Sequence, residues 1–342
     1  MTWRPRLNKQ EQELIKKYRG ITKASRQAGV NVEDVKHGWL KTKEASLFFN
    51  NPSFKDERIK QLKKLKESLI EDIKQYTPKF PKINRTPVAN GHLLVVDPAD
   101  IHIGKLADSF ETGEDYDNQI AVKRVKEGVQ GILDKASGFN IDQILFVGGN
   151  DILHIDQPGA TTKGTRQDTT GMWYSNFLIA KNLYVDILET LISIAPVHFT
   201  FNPSNHDMMS GFFLADVIKT WFKDCEDITF DCSMAHRKGY KYGKNLIGTT
   251  HGDGAKTQDL PILMAQEFPV WWAKTKHRYV YTHHVHHKVQ KDYFGISIES
   301  LRSPTGTDSW HHKKGFQHAP QACEGFLHSK EHGQVARLTH LF

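Results

Sequence analysis

The chain has 342 residues, of which 38% are hydrophobic and 25% charged, enough for one large domain and one small one. It contains no apolar run of eighteen residues and no apolar stretch behind its first charges, so we expect neither a membrane-spanning helix nor a secretory signal. Its three cysteines, Cys225, Cys232 and Cys323, fit no zinc spacing, and their odd number suits a reducing compartment. We therefore expect a cytoplasmic protein.

The net charge of +7 is unevenly distributed. Residues 1–86 carry 21 Lys and Arg against 10 Asp and Glu, a charge of +11, whereas the remainder carries −4. A local excess of this size predicts a polyanionic partner such as nucleic acid. A solvated helical surface without a partner is the alternative.

The N-terminal quarter predicts a small all-α domain over residues 1–76. Asn8 caps a first helix, and a short helix, a turn at Gly29 and a helix capped by Asn31 follow with helix-turn-helix spacing. Many small helical hairpins share that spacing. A longer helix over residues 56–76 has one apolar stripe and one basic face. We expect this domain to contact DNA in part, and residues 77–90, with three prolines, to be a linker.

Residues 91–342 alternate between predicted strands and helices and then become rich in β-structure. The predicted strands cover residues 93–96, 143–147, 197–201, 244–249, 278–282 and 294–299. The predicted helices cover residues 119–136, 176–194 and 212–222. This order predicts an α/β domain with central sheets.

Side chains that bind divalent cations follow the first two of these strands. Asp100 and His102 stand at i and i+2, so on extended backbone they would face one side. Asp151 follows the next strand, and as an anion it suits a bridge between two cations better than Asn150 does. His154 shares a face with Asp151 if a helix begins there. A position behind the ligands is the alternative for His154.

A second set follows the third strand. Asn205 supplies a neutral oxygen ligand. His206 is predicted to stabilise the developing charge or to protonate the leaving oxygen. Asp207 is predicted to orient the His206 imidazole.

Histidines follow the fourth and fifth predicted strands. His251 is followed by a glycine that permits close backbone approach, and a structural role is the alternative for this histidine. Alternation on an extended segment puts His284 and His286 on one side, with His283 and His287 near the other.

The order D-x-H, G-x-D, N-H-D, H-G and H-x-H, over residues 91 to about 300, resembles the calcineurin-like metallophosphoesterase superfamily. The resemblance implies two stacked mixed β-sheets flanked by helices, with a dinuclear site at the sheet ends. It implies that the first metal is held by Asp100, His102, Asp151 and His286. It implies that the second is held by Asp151, Asn205, His251 and His284, with Asp151 as the bridge. The chain departs from the usual pattern at Asn150, which separates glycine from aspartate, and at His283, which replaces a glycine.

The pair Asp151 and His154 is similar to the DNA-repair exonuclease branch of that superfamily, and residues 299–312 resemble phage-encoded members. We therefore predict a dinuclear-metal-dependent phosphodiesterase that cleaves nucleic acid, as a DNA exonuclease or endonuclease, with His206, His154 and Asp207 in catalysis. Its nitrogen and oxygen ligands suit manganese, iron or zinc. The resemblance favours manganese, and members of this branch are often dimers.

Two other functions fit the same residues. The charge of −4 on the predicted catalytic domain gives no broad attraction for DNA, so a small or cyclic nucleotide is an alternative substrate. The helix-turn-helix-like segment also permits a DNA-binding module with a weak or vestigial metal site.

Overall fold

The structure, a computed structural model, describes residues 80–86, 89–315 and 319–342, together with positions 60, 63, 64 and 67. The chain divides into two units, Met1–Thr77 and Pro78–Phe342. The predicted helical domain, its helix-turn-helix-like segment and its DNA contact lie outside the described residues apart from those four positions. Within the predicted linker, residues 80–86 have no regular secondary structure.

The second unit is built from strands and helices that alternate along its first half. The described strands are β1 (His92–Asp97), β2 (Ile141–Gly149), β3 (Val197–Asn202), β4 (Ile228–Asp231), β5 (Arg237–Tyr242), β6 (Asn245–Thr250), β7 (His277–Thr282), β8 (Val289–Tyr293), β9 (Ile296–Ser300), β10 (Ala322–Ser329) and β11 (Gly333–Leu341). The described α-helices are α1 (Ser109–Thr112), α2 (Asn118–Ala136), α3 (Trp173–Ile194), α4 (Met208–Trp221), α5 (Leu260–Glu267), α6 (Pro269–Lys274) and α7 (Ser309–Lys314). None of the described helices is both long and apolar enough to cross a membrane.

The strands form two mixed sheets. The first has the order β11-β10-β1-β2-β3-β4, with β1 to β4 parallel and β10 antiparallel to β1. The second has the order β5-β6-β7-β9-β8, in which β6, β7 and β9 are parallel and the two edge strands are antiparallel to their neighbours.

The sheets stack face to face between layers of helices. Successive residues of β1 point to opposite faces, as the pleat requires: Leu93 and Val95 join the core shared with the second sheet, whereas Leu94 and Val96 join the core under the long helices. A third cluster, which includes Leu260 of α5, covers the outer face of the second sheet. The predicted α/β fold of two stacked mixed sheets flanked by helices is confirmed.

Both sheets direct the carboxyl ends of their parallel strands to one region. A buried pair of hydrogen bonds joins the two sheets there: Asn202, the last residue of β3, donates to the Thr249 carbonyl at 3.1 Å and accepts from the Thr249 hydroxyl at 2.7 Å. Loops that follow β1, β2 and β3 therefore meet loops that follow β6 and β7. Ligands of open α/β sheets bind at such carboxyl edges.

Candidate metal centre

All seven predicted ligands lie in loops after parallel strands, at this carboxyl edge. Asp100 and His102 follow β1, Asp151 follows β2, and Asn205 follows β3. The other three predicted ligands follow strands of the second sheet: His251 follows β6, and His284 and His286 follow β7.

A first group of donors consists of Asp100, His102 and His286. Their ligand atoms lie within 4.8 Å of one another. The Nε2 atoms of His102 and His286 are 3.3 Å apart, and Asp100 Oδ1 is 3.6 Å from His286 Nε2. Two donors bound about 2.1 Å from one cation stand about 3.0–3.4 Å apart at right or tetrahedral angles, so this spacing fits a shared cation.

A second group consists of Asp151, His251 and His284, whose ligand atoms again lie within 4.8 Å. Asp151 Oδ2 is 3.2 Å from His251 Nε2, and the side-chain oxygen of Asn205 is 2.8 Å from the same nitrogen. The structure thus brings the seven residues into two adjoining groups, and their roles as ligands stay predictions. The assignment of Asp151 as a bridge stays a prediction.

The inserted Asn150 is accommodated through its backbone. Its N–H donates to the Asn202 carbonyl at 3.1 Å, and its own carbonyl accepts from the Asp100 N–H at 2.8 Å. The preceding Gly149 has a φ of 78°, and a Cβ there would stand 2.3 Å from the Asn202 carbonyl oxygen. Glycine and asparagine together therefore let the end of β2 touch both neighbouring loops.

Burial and neighbouring charges set protonation states that suit cation binding. Burial, with the charge of His206, lowers the pKa of His102 well below its usual value, so this ring is neutral and keeps a free lone pair. Burial would raise the pKa of Asp151, but the charges of His251 and His206 outweigh it and hold that pKa below its usual range. Burial would lower the pKa of His251, but the Asp151 carboxylate raises it to about 9. A cation between His251 and Asp151 would replace that proton.

Most of the predicted ligands have left-handed backbone, which costs a non-glycine residue about 1–2 kcal/mol. Five of the seven have a positive φ: Asp100 (53°), His102 (54°), Asp151 (59°), His284 (73°) and His286 (57°). Backbone strain of this kind persists only where surrounding structure imposes it, and it clusters at functional sites.

Two local predictions are wrong for this reason, and the condition set for His154 is not met. The pairs Asp100/His102 and His284/His286 are not extended, and no helix begins at Asp151. Asp100 and His102 still meet because their N–H groups donate to the carbonyls of Asn150 and Asp151. His284 and His286 turn to different groups rather than to one side.

His154 lies beside a predicted ligand. It is buried, and its Nδ1 is 3.2 Å from Nδ1 of His102, whose other nitrogen faces His286. Ligand imidazoles are commonly oriented by a partner on the second ring nitrogen. His102, His154 and His206 also have ligand atoms within 4.8 Å of one another. A position behind the ligands and a catalytic role for His154 both stay predictions.

His206 is half-buried and lies against the first group. Its ring centroid is 4.6 Å from that of His102, and its backbone N–H donates to Asp151 Oδ1 at 2.9 Å. Its Nδ1 is 2.8 Å from the His154 carbonyl. Because a carbonyl only accepts, Nδ1 carries a proton and Nε2 is the nitrogen that can change protonation.

The predicted role of Asp207 is wrong. Its Oδ1 accepts from the Ser204 hydroxyl at 2.6 Å and its Oδ2 from the Leu153 N–H at 2.9 Å, whereas the His206 ring is oriented by the His154 carbonyl. Ser204 in turn accepts from the Asp151 N–H at 2.8 Å. Asp207 therefore ties together the loops after β2 and β3.

His283 and His287 stay outside both groups. His283 is buried, with Nε2 at 3.0 and 3.1 Å from the two Asp97 carboxylate oxygens and Nδ1 at 3.0 Å from the Thr250 carbonyl. His287 is exposed and contacts the Val285 carbonyl. The histidine that replaces the usual glycine therefore links three ligand-bearing loops.

Sequence reasoning missed the buried residues Lys105 and Asp308 and the half-buried His311. Lys105 follows His102 by three positions, and its Nζ is 2.9 Å from Asp308 Oδ2. The one sequence signal was a lysine in an otherwise apolar stretch, which gave no indication of its distant partner.

Comparisons with known proteins give alignments to solved structures at low identity and low TM-score. No family model matches the chain, and no curated protein matches it. Among solved structures, Vps29 from Entamoeba histolytica in complex with Zn²⁺ aligns at 13% identity and a TM-score of 0.32, over 73% of this chain and 98% of that one. A predicted phosphoesterase from Streptococcus pneumoniae aligns at 12% identity and a TM-score of 0.27, over 74% and 99%. A putative 5'-nucleotidase from Staphylococcus aureus aligns at 10% identity and a TM-score of 0.34, over 74% and 54%.

Proposed function

We propose that the chain is a metallophosphoesterase that uses two divalent metal ions to hydrolyse phosphodiester bonds of nucleic acid, with DNA as the expected substrate. The observation that carries the proposal is the convergence of seven nitrogen and oxygen donors, from five loops of two sheets, into two adjoining groups. Membership of the DNA-repair exonuclease branch and a phage origin are part of the proposal and rest on the sequence resemblance.

The donor set suits divalent cations of intermediate softness. Asp100, His102 and His286 would hold one cation, and Asn205, His251 and His284 the other, with Asp151 between them. Imidazole together with carboxylate and amide oxygen suits manganese, iron or zinc better than calcium, and manganese is our choice from the resemblance. Bound cations would activate a water and neutralise the oxygens of the phosphate.

His206 would act on the leaving oxygen. Its Nδ1 proton is held by the His154 carbonyl, so Nε2 is the atom that can deliver a proton as the phosphorus–oxygen bond breaks. Its backbone N–H holds the Asp151 carboxylate, which couples the position of this ring to the proposed ligand.

Hydrolysis of bis-p-nitrophenyl phosphate with Mn²⁺, before and after chelation, tests the metal-dependent reaction. We expect turnover that chelation abolishes and that Asp151→Asn lowers about 100-fold or more, because a neutral amide replaces a charged ligand. The exposed Asp186 on α3 provides the matched control Asp186→Asn, which is expected to retain activity. Full activity of Asp151→Asn would contradict the proposal, and DNA binding by an inactive wild-type chain would favour the DNA-binding module instead.

The negative net charge of the part that contains the metal centre favours a second class of substrate, small or cyclic nucleotides. Residues from 87 onward carry −4, which favours hydrolysis of small or cyclic nucleotides over DNA. Linear duplex DNA, single-stranded DNA and cyclic nucleotides should be compared under the same Mn²⁺ conditions. Turnover of the cyclic nucleotides alone would exclude the nuclease.

A further inference from the structure

The short helix α7 lies directly against the first donor group. Its residue His311 stacks on His286, with ring centroids 5.1 Å apart and planes 20° apart. Because His286 belongs to the first group, whatever binds along α7 lies next to the proposed scissile phosphate.

A buried ion pair fixes α7 in this position. Lys105, 1% exposed in the loop after His102, places Nζ 2.9 Å from Asp308 Oδ2. Asp308 caps α7: its Oδ1 accepts from the His311 N–H at 2.8 Å and lies 2.7 Å from His311 Nδ1. Burial would raise the pKa of Asp308, but the hydrogen bond from His311 and the charge of Lys105 outweigh it and hold the pKa well below its usual range. The helix is thereby tied to the same loop that carries His102.

The other end of α7 is positively charged and open to solvent. Lys313 and Lys314 are exposed in its last turn, beside the exposed His312. The helix itself contains no acidic residue, and the exposed acid facing it, Glu111 of α1, accepts from Ser309 in the first turn at 2.6 Å. The lysines therefore form a local positive charge on a unit whose net charge is negative.

An aromatic side chain accompanies these lysines. Trp310 is 48% exposed, and its ring meets the His311 ring edge-on at 5.0 Å. Grooves that bind single strands combine basic side chains for phosphates with aromatic rings for bases. Three residues of helix span about 4.5 Å, so Lys314 lies within one or two phosphate spacings of His311.

We propose that α7 binds a single nucleic-acid strand next to the metal centre, with Lys313 and Lys314 on backbone phosphates and Trp310 stacked on a base. This inference rests on the proposed phosphodiesterase function and narrows its substrate to a polynucleotide. A cyclic mononucleotide has one phosphate, so it has none left for Lys313 and Lys314 when that phosphate lies at the metal centre.

The test uses the full chain and two substrates in Mn²⁺, a single-stranded oligonucleotide and bis-p-nitrophenyl phosphate. For Lys313→Gln/Lys314→Gln we expect the ratio of oligonucleotide to small-diester kcat/KM to fall about 10-fold. The slope of log(kcat/KM) against log[salt] should flatten by about 1.4, since each phosphate contact on a single strand contributes about 0.7. Trp310→Ala should lower the same ratio about 5-fold or more with little change in the slope.

The matched control is Lys219→Gln/Lys223→Gln, which changes two exposed lysines, one in the last turn of α4 and one just after it. Both the ratio and the salt slope should stay at wild-type values in this variant. A wild-type ratio and slope in the α7 variants would overturn the inference while leaving the proposed function intact. Equal losses on both substrates would also overturn it, because α7 would then only support the metal centre. If the wild-type chain hydrolyses neither substrate, the proposed function fails. The inference is then tested by measuring oligonucleotide affinity through fluorescence anisotropy. An affinity of Lys313→Gln/Lys314→Gln equal to that of the wild type would overturn it.

Discussion

Replacing His283 by alanine is expected to destabilise the fold far more than removal of an exposed ion pair does. The imidazole joins the Asp97 carboxylate, 3.0 and 3.1 Å away, to the Thr250 carbonyl, and neither His283 nor Asp97 is accessible to solvent. Nδ1–H donates to the Thr250 carbonyl, so Nε2 is the nitrogen that faces the Asp97 carboxylate. Burial already raises the pKa of Asp97 against the opposing charge of His283.

The expected loss is about 3–5 kcal/mol of unfolding free energy, the cost of leaving one partner of a buried pair uncompensated. Lys126 and Asp186 provide the control, since their side chains are 49% and 53% exposed at a separation of 2.6 Å. Lys126→Ala should cost about 0–1 kcal/mol, because solvent screens an exposed pair.

Urea denaturation of the metal-free protein, followed by tryptophan fluorescence and circular dichroism, measures both losses. Chelation removes any contribution from cation binding. A loss under 1 kcal/mol for His283→Ala, or one equal to that of Lys126→Ala, would refute the argument. The double variant Asp97→Asn/His283→Ala should recover part of the loss, since it removes the buried charge as well as its partner.

Three further predictions concern the metal centre. His206→Gln should lower hydrolysis about 100-fold or more for nucleoside leaving groups but much less for p-nitrophenolate, which departs without a proton; equal losses for both would exclude the general acid. Burial and the charge of Asp151 raise the pKa of Asp207 to about 7, so between pH 4 and 7 the folded state keeps a proton that the unfolded state has lost. The stability of the metal-free protein should therefore fall as pH rises through this window, and urea titrations at pH 5 and 8 should show a smaller fall in Asp207→Asn. Mn²⁺ at about 100 times its dissociation constant should raise the unfolding free energy by about 2.7 kcal/mol in thermal denaturation, and an unchanged midpoint would mean that the folded state does not bind it.

Six of the seven parallel strands that the structure describes were predictable because each is an apolar run bounded by polar residues. The observed ends of these strands differ from the predicted ones by two residues at most. The prediction missed the edge strands β4, β5, β8 and β11, and also β10, where buried Glu324 and His328 interrupt the apolar pattern.

What could not be predicted depends on contacts between distant segments. Alternation predicted extended ligand pairs, but the Asp100 carboxylate and the Asn150 carbonyl accept from loop N–H groups and impose left-handed backbone. Asp207 was assigned to the adjacent His206 because sequence shows only neighbours, whereas its acceptor oxygens serve Ser204 and Leu153. Lys105 and Asp308 are separated by some two hundred residues, and no periodicity relates them.

Selection for heat resistance would act against the proposed ligands whose backbone is left-handed. Glycine adopts such backbone at no steric cost, so a chain screened only for survival at high temperature would gain up to about 1–2 kcal/mol at each of these positions by exchanging an aspartate or histidine for glycine. At Asp100 and Asp151 that gain is offset, because the backbone N–H groups of His284 and His206 would lose their acceptors. Directed evolution toward a more robust variant would therefore replace the exposed donor His284 first unless every round also demands turnover.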